Sequence, residues 1–171
     1  MIIHIFGCPN SGKTTLRDRL KELHPEFGSY CIDDFRRMYG DGTLPKELVA
    51  QDMYSYEVRK TENGIFECSG AGRCAELSLN VDRDDQFIVV LLAPVAICWK
   101  RIRDGKYDGI PFPFEVSDED MIDHIDRFLG SVGFRLMASG TPLMYINTLS
   151  KTLDEQVALV EKFTGLSSKH D

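Results

Sequence analysis

The sequence predicts an α/β protein: a three-layer α/β/α sandwich of the P-loop NTPase type, with a five-stranded parallel sheet and a small helical and loop lid. Two observations carry this. The apolar run 1–6 is followed by Gly7-Cys8-Pro9-Asn10-Ser11-Gly12-Lys13-Thr14 and then by the helical pattern Thr15-Leu16-Arg17-Asp18-Arg19-Leu20, the strand–loop–helix setting of a G-x-x-x-x-G-K-T phosphate loop. Beyond it, short apolar strands alternate with amphipathic helices, and right-handed crossovers between such strands give a parallel sheet covered on both faces. The whole chain, 1–171, is long enough for one domain and shows no second one.

Each element follows from local signals. The first helix ends before Pro25, because the residue preceding a proline is pushed out of the α region. Residues 29–32 are rich in β formers and read as a second strand that leads directly into Asp33-Asp34-Phe35-Arg36-Arg37. A helix over 44–60 has Pro45 in its first turn, Leu48, Val49, Met53 and Tyr56 at helical spacing, and a stop at Asn63-Gly64. Residues 64–70 read as a third buried strand ending in Glu67 and a Gly-containing turn, and the almost unbroken apolar run 86–92 as a fourth strand, covered on both faces. Val95, Cys98, Trp99 and Ile102 make one helical stripe, after which Gly105, Gly109, Pro111 and Pro113 impose a loop. Ser117 is placed to cap a helix whose Met121, Ile122, Ile125, Phe128, Leu129 and Val132 face inward, with Gly130 and Gly133 bending its end. A fifth strand over 142–146, an amphipathic helix over 151–163 and a disordered polar tail over 165–171 complete the chain.

The phosphate loop sets the chemistry. Its glycines let backbone N–H groups turn inward around an anion, with the positive end of the next helix behind them. Gly7, Cys8, Pro9, Asn10, Ser11, Gly12, Lys13, Thr14 and Thr15 are therefore expected to bind ATP or another nucleoside triphosphate, with Lys13 on the β and γ phosphates and the Thr14 hydroxyl on Mg²⁺. Ligands of open parallel sheets sit beyond the carboxyl ends of the strands, which brings Asp33 and Asp34 beside the loop. Asp33 is the candidate general base for an acceptor hydroxyl, and Arg36, one turn later, the residue that holds the acceptor or its neighbouring phosphate. The bland alternative, a helix cap, explains one of the two aspartates and not both.

Three further positions are candidates. Glu67 closes an apolar strand, where a carboxylate orders Mg²⁺ through water or grips the substrate; the alternative is an exposed strand-end charge. Lys100, Arg101, Arg103 and Lys106 put four cations just before the Gly/Pro loop, the composition of a lid over about 100–116 whose Arg101 and Arg103 meet the transferring phosphoryl group. Arg73, after Ser69-Gly70-Ala71-Gly72, is either a substrate contact or a surface residue.

Composition bounds the partners. A net charge of −7 argues against broad attraction to nucleic acid, so a polyanionic acceptor needs a local basic patch. Five cysteines without CxxC spacing support neither a disulfide framework nor a zinc site, and the four histidines lack ligand spacing. No apolar run reaches membrane-span length, and the first strand at the very start leaves no room for a targeting peptide; a cytoplasmic protein, or one of the host cytoplasm if viral, is expected.

At its phosphate loop and at Cys31-Ile32-Asp33-Asp34-Phe35-Arg36 the sequence resembles the kinase domain of the polynucleotide 5′-hydroxyl kinase family, over roughly the first 115 residues. The resemblance implies Lys13 and Thr14 on phosphates and Mg²⁺, Asp33 as general base, Arg36 on the acceptor's phosphate side and a lid arginine within 101–106. The segment Glu67-Cys68-Ser69-Gly70-Ala71-Gly72-Arg73 departs from that family and is similar to the corresponding segment of zeta-toxin-like sugar-nucleotide kinases. The expected activity is thus ATP-dependent phosphoryl transfer to an alcohol, with a nucleic acid (a 5′ end or a hydroxymethylated base such as 5-hydroxymethyluracil) favoured as acceptor over a nucleoside, sugar nucleotide or other metabolite. A nucleotide-dependent switch without an acceptor is the reading from another class, and no water-positioning residue marks it.

Overall fold

Five strands, β1 (Ile2–Gly7), β2 (Gly28–Cys31), β3 (Gly64–Glu67), β4 (Gln86–Leu92) and β5 (Leu143–Asn147), form one parallel sheet in the order β2-β3-β1-β4-β5 in the computed structural model, which describes residues 1–104 and 117–166. β1 is the central strand: Ile2 lies opposite Gly64 on one side and Gln86 on the other. All six of its residues are buried, which a strand achieves only with side chains acceptable to both faces. Ile2 and Phe6 join one core with Phe66, Ile88 and Val90, whereas Ile3 and Ile5 join a second with Ile65, Val89 and Leu91. The period of two thus divides a continuous apolar run between two layers.

The helices are α1 (Lys13–Leu23), α2 (Ile32–Tyr39), α3 (Leu44–Lys60), α4 (Arg73–Leu79), α5 (Val95–Asp104), α6 (Asp118–Leu129), α7 (Val132–Met137) and α8 (Leu153–Thr164). Leu16 and Leu20 of α1 and Val157 and Val160 of α8 fill the second core, and the other six helices supply the first. Helices therefore cover both faces of the parallel sheet, as the alternation of elements predicts. The N-caps Ser117, Ser131 and Thr152 each accept a bond from the backbone N–H three residues on, and Glu155 completes a capping box at α8.

Two expectations about the elements are corrected, and one helix is added. The buried face of α3 is Glu47, Ala50, Tyr54, Ser55 and Val58; Leu48, Val49 and Tyr56 are exposed, and of the expected stripe only Met53 packs on the core. The third strand ends at Glu67 as expected, and the glycines after it lead into α4, a two-turn helix not expected because its short, mixed sequence carries no periodic signal. The helix begun by Ser117 stops at Leu129, because Ser131 caps a new one; Val132 consequently lies in the first turn of α7, 72% exposed. The expected lid beyond residue 104, including Lys106, and the tail beyond 166 lie outside the described residues.

An aromatic chain fixes the element nearest the strand ends. Phe35 of α2 meets Tyr54 of α3 edge-on at 5.4 Å, Tyr54 meets Phe66 of β3 edge-on at 5.6 Å, and Tyr30 of β2 stacks on Phe66 at 4.5 Å. Such pairs prefer these geometries and each adds about 1 kcal/mol beyond the area buried. α2 has only eight residues, so its orientation rests on this packing.

Candidate active site

The loop after β1 has the backbone that its glycines permit. Gly12 precedes α1 at φ 102°, a left-handed conformation, and Asn10 sits at φ 58°. A Cβ on Gly7 would lie 2.6 Å from Ser11 Oγ and 2.8 Å from the Leu91 carbonyl oxygen, so this position is closed to any side chain. No side chain caps the first turn of α1, and the opening residues of that helix line a cleft of about 1650 Å³. The first-turn amides and the positive helix end therefore face the cleft, which suits an anion. Of the nine expected nucleotide-binding residues, Pro9, Asn10, Ser11, Gly12, Lys13, Thr14 and Thr15 line the cleft, while Gly7 and Cys8 are buried and do not line it. Lys13 Nζ donates to the Cys8 carbonyl at 2.8 Å.

Thr14 and Glu67 meet on the floor. Thr14 Oγ1 donates to Glu67 Oε1 at 2.8 Å, and Arg17 Nη1 approaches Glu67 Oε2 at 3.1 Å. Burial raises the Glu67 pKa, while Lys13, Arg17 and the Thr14 hydroxyl pull it back down. Glu67 Oε2 is buried without a well-formed hydrogen bond among the described residues, although Arg17 neutralises it. A hydroxyl beside a carboxylate is a hard oxygen donor set that fits Mg²⁺, which keeps several waters and takes only one or two protein ligands. No group of three or more acidic, His or Cys side chains among the described residues makes a dedicated metal cage.

Asp33 reaches the same cleft from the start of α2. Arg36 Nη1 donates to Asp33 Oδ1 at 2.8 Å, and its Nε and Nη2 edge makes a two-pronged pair with Glu47, with Nη2 at 2.8 Å from Oε1. Glu47 is only 3% exposed and also accepts from Gln51 Nε2 at 2.7 Å. Burial disfavours the Arg36 charge, but the hydrogen bonds and charges of Glu47 and Asp33 outweigh it and raise the guanidinium pKa. Arg36 is thus a fixed bridge between two carboxylates, and it presents Asp33 to the cleft in one orientation.

Of the other four sequence candidates, Arg73 and Arg101 line the cleft and Asp34 and Arg103 do not. Asp34 projects away from the cleft and pairs with Arg37 at 2.9 Å, because successive helical side chains diverge by about 100°. Arg73 lines the cleft but is bound to Asp52 at 2.5 Å. Arg101 lies across the loop mouth, its Nη1 donating to the Asn10 carbonyl at 2.8 Å. Arg103 faces away from the cleft and pairs with Glu119. Two residues of the site, Glu47 and Arg17, were not singled out by the sequence reading. For Glu47 the signal was its place on the stripe shared with Ala50, Tyr54 and Val58.

All five cysteines are buried and free. Burial pushes the Cys8 and Cys31 thiols up to about 12, so neither is a nucleophile near neutral pH. No helix among the described residues is long and apolar enough to cross a membrane.

No family model matches the chain, and no curated protein is similar to it in sequence. Solved structures share its fold over almost its whole length. A shikimate kinase from Acinetobacter baumannii in complex with shikimate is 19% identical, with a TM-score of 0.60, and the match covers 99% of this chain and 95% of that one. A gluconokinase from Sinorhizobium meliloti 1021 is 14% identical at a TM-score of 0.63, with 98% and 93% covered. The YorR protein of Bacillus subtilis in complex with phosphorylated GDP is 15% identical at a TM-score of 0.62, with 100% and 99% covered. At these identities the likeness establishes architecture, and the chain has the P-loop kinase fold.

Proposed function

We propose that this protein is an ATP- and Mg²⁺-dependent kinase that phosphorylates a hydroxyl of a small molecule. One observation carries the reading: the phosphate loop and a carboxylate held by an arginine line the same cleft. Its volume of about 1650 Å³ exceeds the roughly 300–1,000 Å³ of an ordinary single-ligand pocket, so there is room for a nucleotide and an acceptor together.

In this reading Lys13 and the amides at the start of α1 hold the β and γ phosphates, with Arg101 at the mouth. Thr14 would ligate Mg²⁺ directly and Glu67 through water; the ion supplies neutralisation of the phosphate charge. Asp33 accepts the proton of the acceptor hydroxyl as its oxygen bonds to the γ phosphorus; the bond from that phosphorus to the β–γ bridging oxygen breaks, and ADP leaves.

The nucleic-acid acceptor implied by the sequence resemblance finds no support. Shikimate and gluconate, the acceptors after which two neighbours are named, are small molecules. Around Asp33, Arg36, Arg37 and Arg73 are each paired with a carboxylate, whereas a track for a phosphate backbone requires cations with charge to spare. The test is incubation with labelled ATP and Mg²⁺ beside a panel of sugars, polyols, nucleosides and hydroxyl-ended or hydroxymethylated DNA. Label in small molecules, lost in a folded Asp33→Asn protein, is expected. Label in DNA alone would restore the nucleic-acid acceptor, and acceptor-independent hydrolysis indifferent to Asp33→Asn would leave only a nucleotide-binding module.

A further inference from the structure

We infer that the acceptor presents an uncharged, donor-rich group, such as a polyol, a sugar or the hydroxyl face of a nucleoside, rather than a carboxylate or phosphate; this rests on the kinase reading above. The charge beside Asp33 decides it. Arg36 is one cation between two carboxylates, so the Asp33–Arg36–Glu47 cluster carries a net negative charge. An anionic acceptor bound by Arg36 would have to displace either Asp33, the proposed base, or Glu47, which is 3% exposed and would be left a buried carboxylate without its partner, the costliest way to break such a pair. Arg73 is held by Asp52, outside that cluster. Arg127 of α6 lines the same cleft, but it sits on a helix that also carries Glu119, Asp120, Asp123 and Asp126, and Asp120 shares the cleft with it. Beside Asp33 the carboxylates of its cluster outnumber the one cation, so an anionic group placed there meets like charge.

Hydrogen bonding gives the second half of the argument. Gln51 lines the cleft, and its amide N–H is committed to Glu47. Its Oε1 is buried with no hydrogen-bond partner among the described residues. Asp33 and Gln51 Oε1 are both acceptors, so the group that satisfies them is an O–H or N–H donor. A ligand hydroxyl on Gln51 Oε1 removes the cost of an unpaired buried carbonyl, while a carboxylate there has no proton to give.

The experiment uses matched pairs that differ in charge: methyl shikimate with shikimate, glucose with gluconate, and thymidine with its monophosphate. ADP release is measured for each with the intact protein, and ATP binding is measured separately by calorimetry. The uncharged member of at least one pair is expected to show kcat/KM at least tenfold above its anionic counterpart, and Gln51→Leu to lower that value without changing ATP affinity. Preference for the anionic member throughout overturns the inference and leaves the kinase reading standing; if that preference vanishes in Arg127→Gln, Arg127 is the anion site. Release of ADP that no acceptor stimulates and that Asp33→Asn leaves unchanged overturns the kinase reading itself.

Discussion

Glu47 is the buried charge on which the Asp33 side of the cleft depends. It binds Arg36 through three contacts of 2.8–3.1 Å and has almost no access to water. Removing one partner of a buried pair costs about 3 kcal/mol or more, so Glu47→Ala is expected to lower the urea midpoint by that equivalent. Glu47→Gln keeps the shape and loses the charge, and it should reduce kcat while leaving the KM for ATP unchanged, because its effect passes through Arg36 to Asp33. Direct loss of the base is larger: Asp33→Asn should cost about 10²–10⁴-fold in kcat, the range of general-base catalysis. His4 makes a prediction of another kind. Its Nε2 donates to Gln86 Oε1 at 2.8 Å, since the Gln86 amide nitrogen already donates to Val81 O, and its Nδ1 lies in the core without a partner among the described residues. Burial depresses its pKa to about 4, against 6.5 for a free imidazole, so between those values the unfolded chain binds a proton that the native state refuses. Stability from this residue is present above pH 6.5 and is lost as pH falls toward 4. At 1.36 kcal/mol per pH unit, unfolding free energy should drop by about 2 kcal/mol between pH 7 and 5. Urea titrations at the two pH values check this, and a folded His4→Asn protein should lose that much less.

At the scale of elements, α3 shows what the sequence disclosed and what it hid. The strands, the phosphate loop and the starts of α1, α3 and α6 were legible because each has a local cause: an apolar run, a glycine, a proline, a capping serine. The inward face of α3 was not, because Leu48, Val49 and Tyr56 offer a more apolar stripe than the one the fold uses. The buried stripe includes Glu47 and Ser55, and a buried glutamate is recognisable only when Arg36, eleven residues earlier, is known to face it. Asp33 was legible from the strand-end rule, but its neighbour Asp34 has the same residue type and differs only in helical phase. Arg103 was expected in the cleft on composition alone, and its pairing with Glu119 depends on how α5 meets α6. The same stripe of α3 carries a testable oddity. Tyr54 is fully buried among Phe35 and Phe66, and its hydroxyl has no hydrogen-bond partner among the described residues. Tyr54→Phe removes an unsatisfied polar group while keeping the ring packing, so it should raise stability by about 1 kcal/mol, read as a higher melting temperature. A fall of that size would show that the hydroxyl is satisfied.

For the whole molecule, the phosphate loop ties nucleotide binding to stability. The loop joins the central strand to α1, and Thr14 and Arg17 tie that helix to Glu67 at the end of β3. A ligand seated there bears on β1, β3 and α1 together, and it binds a site that exists only when these elements are assembled. Binding to the native state alone stabilises by RT ln(1 + [L]/Kd), about 2.7 kcal/mol at a hundredfold excess over Kd. For a domain of this length each kcal/mol is worth about 2–4 °C, so saturating ATP with Mg²⁺ should raise the melting temperature by roughly 5–10 °C, and by more at each higher concentration. Chelation of Mg²⁺ should remove most of the shift if the Thr14 and Glu67 oxygens act through the ion, and Thr14→Val should make the shift indifferent to chelation. Lys13→Ala should abolish it while leaving the melting temperature without nucleotide close to that of the parent, because Lys13 Nζ donates its hydrogen bond to the Cys8 carbonyl of its own loop. A full shift in Lys13→Ala would place the nucleotide somewhere other than this loop, and Asp33 would then have no donor within reach.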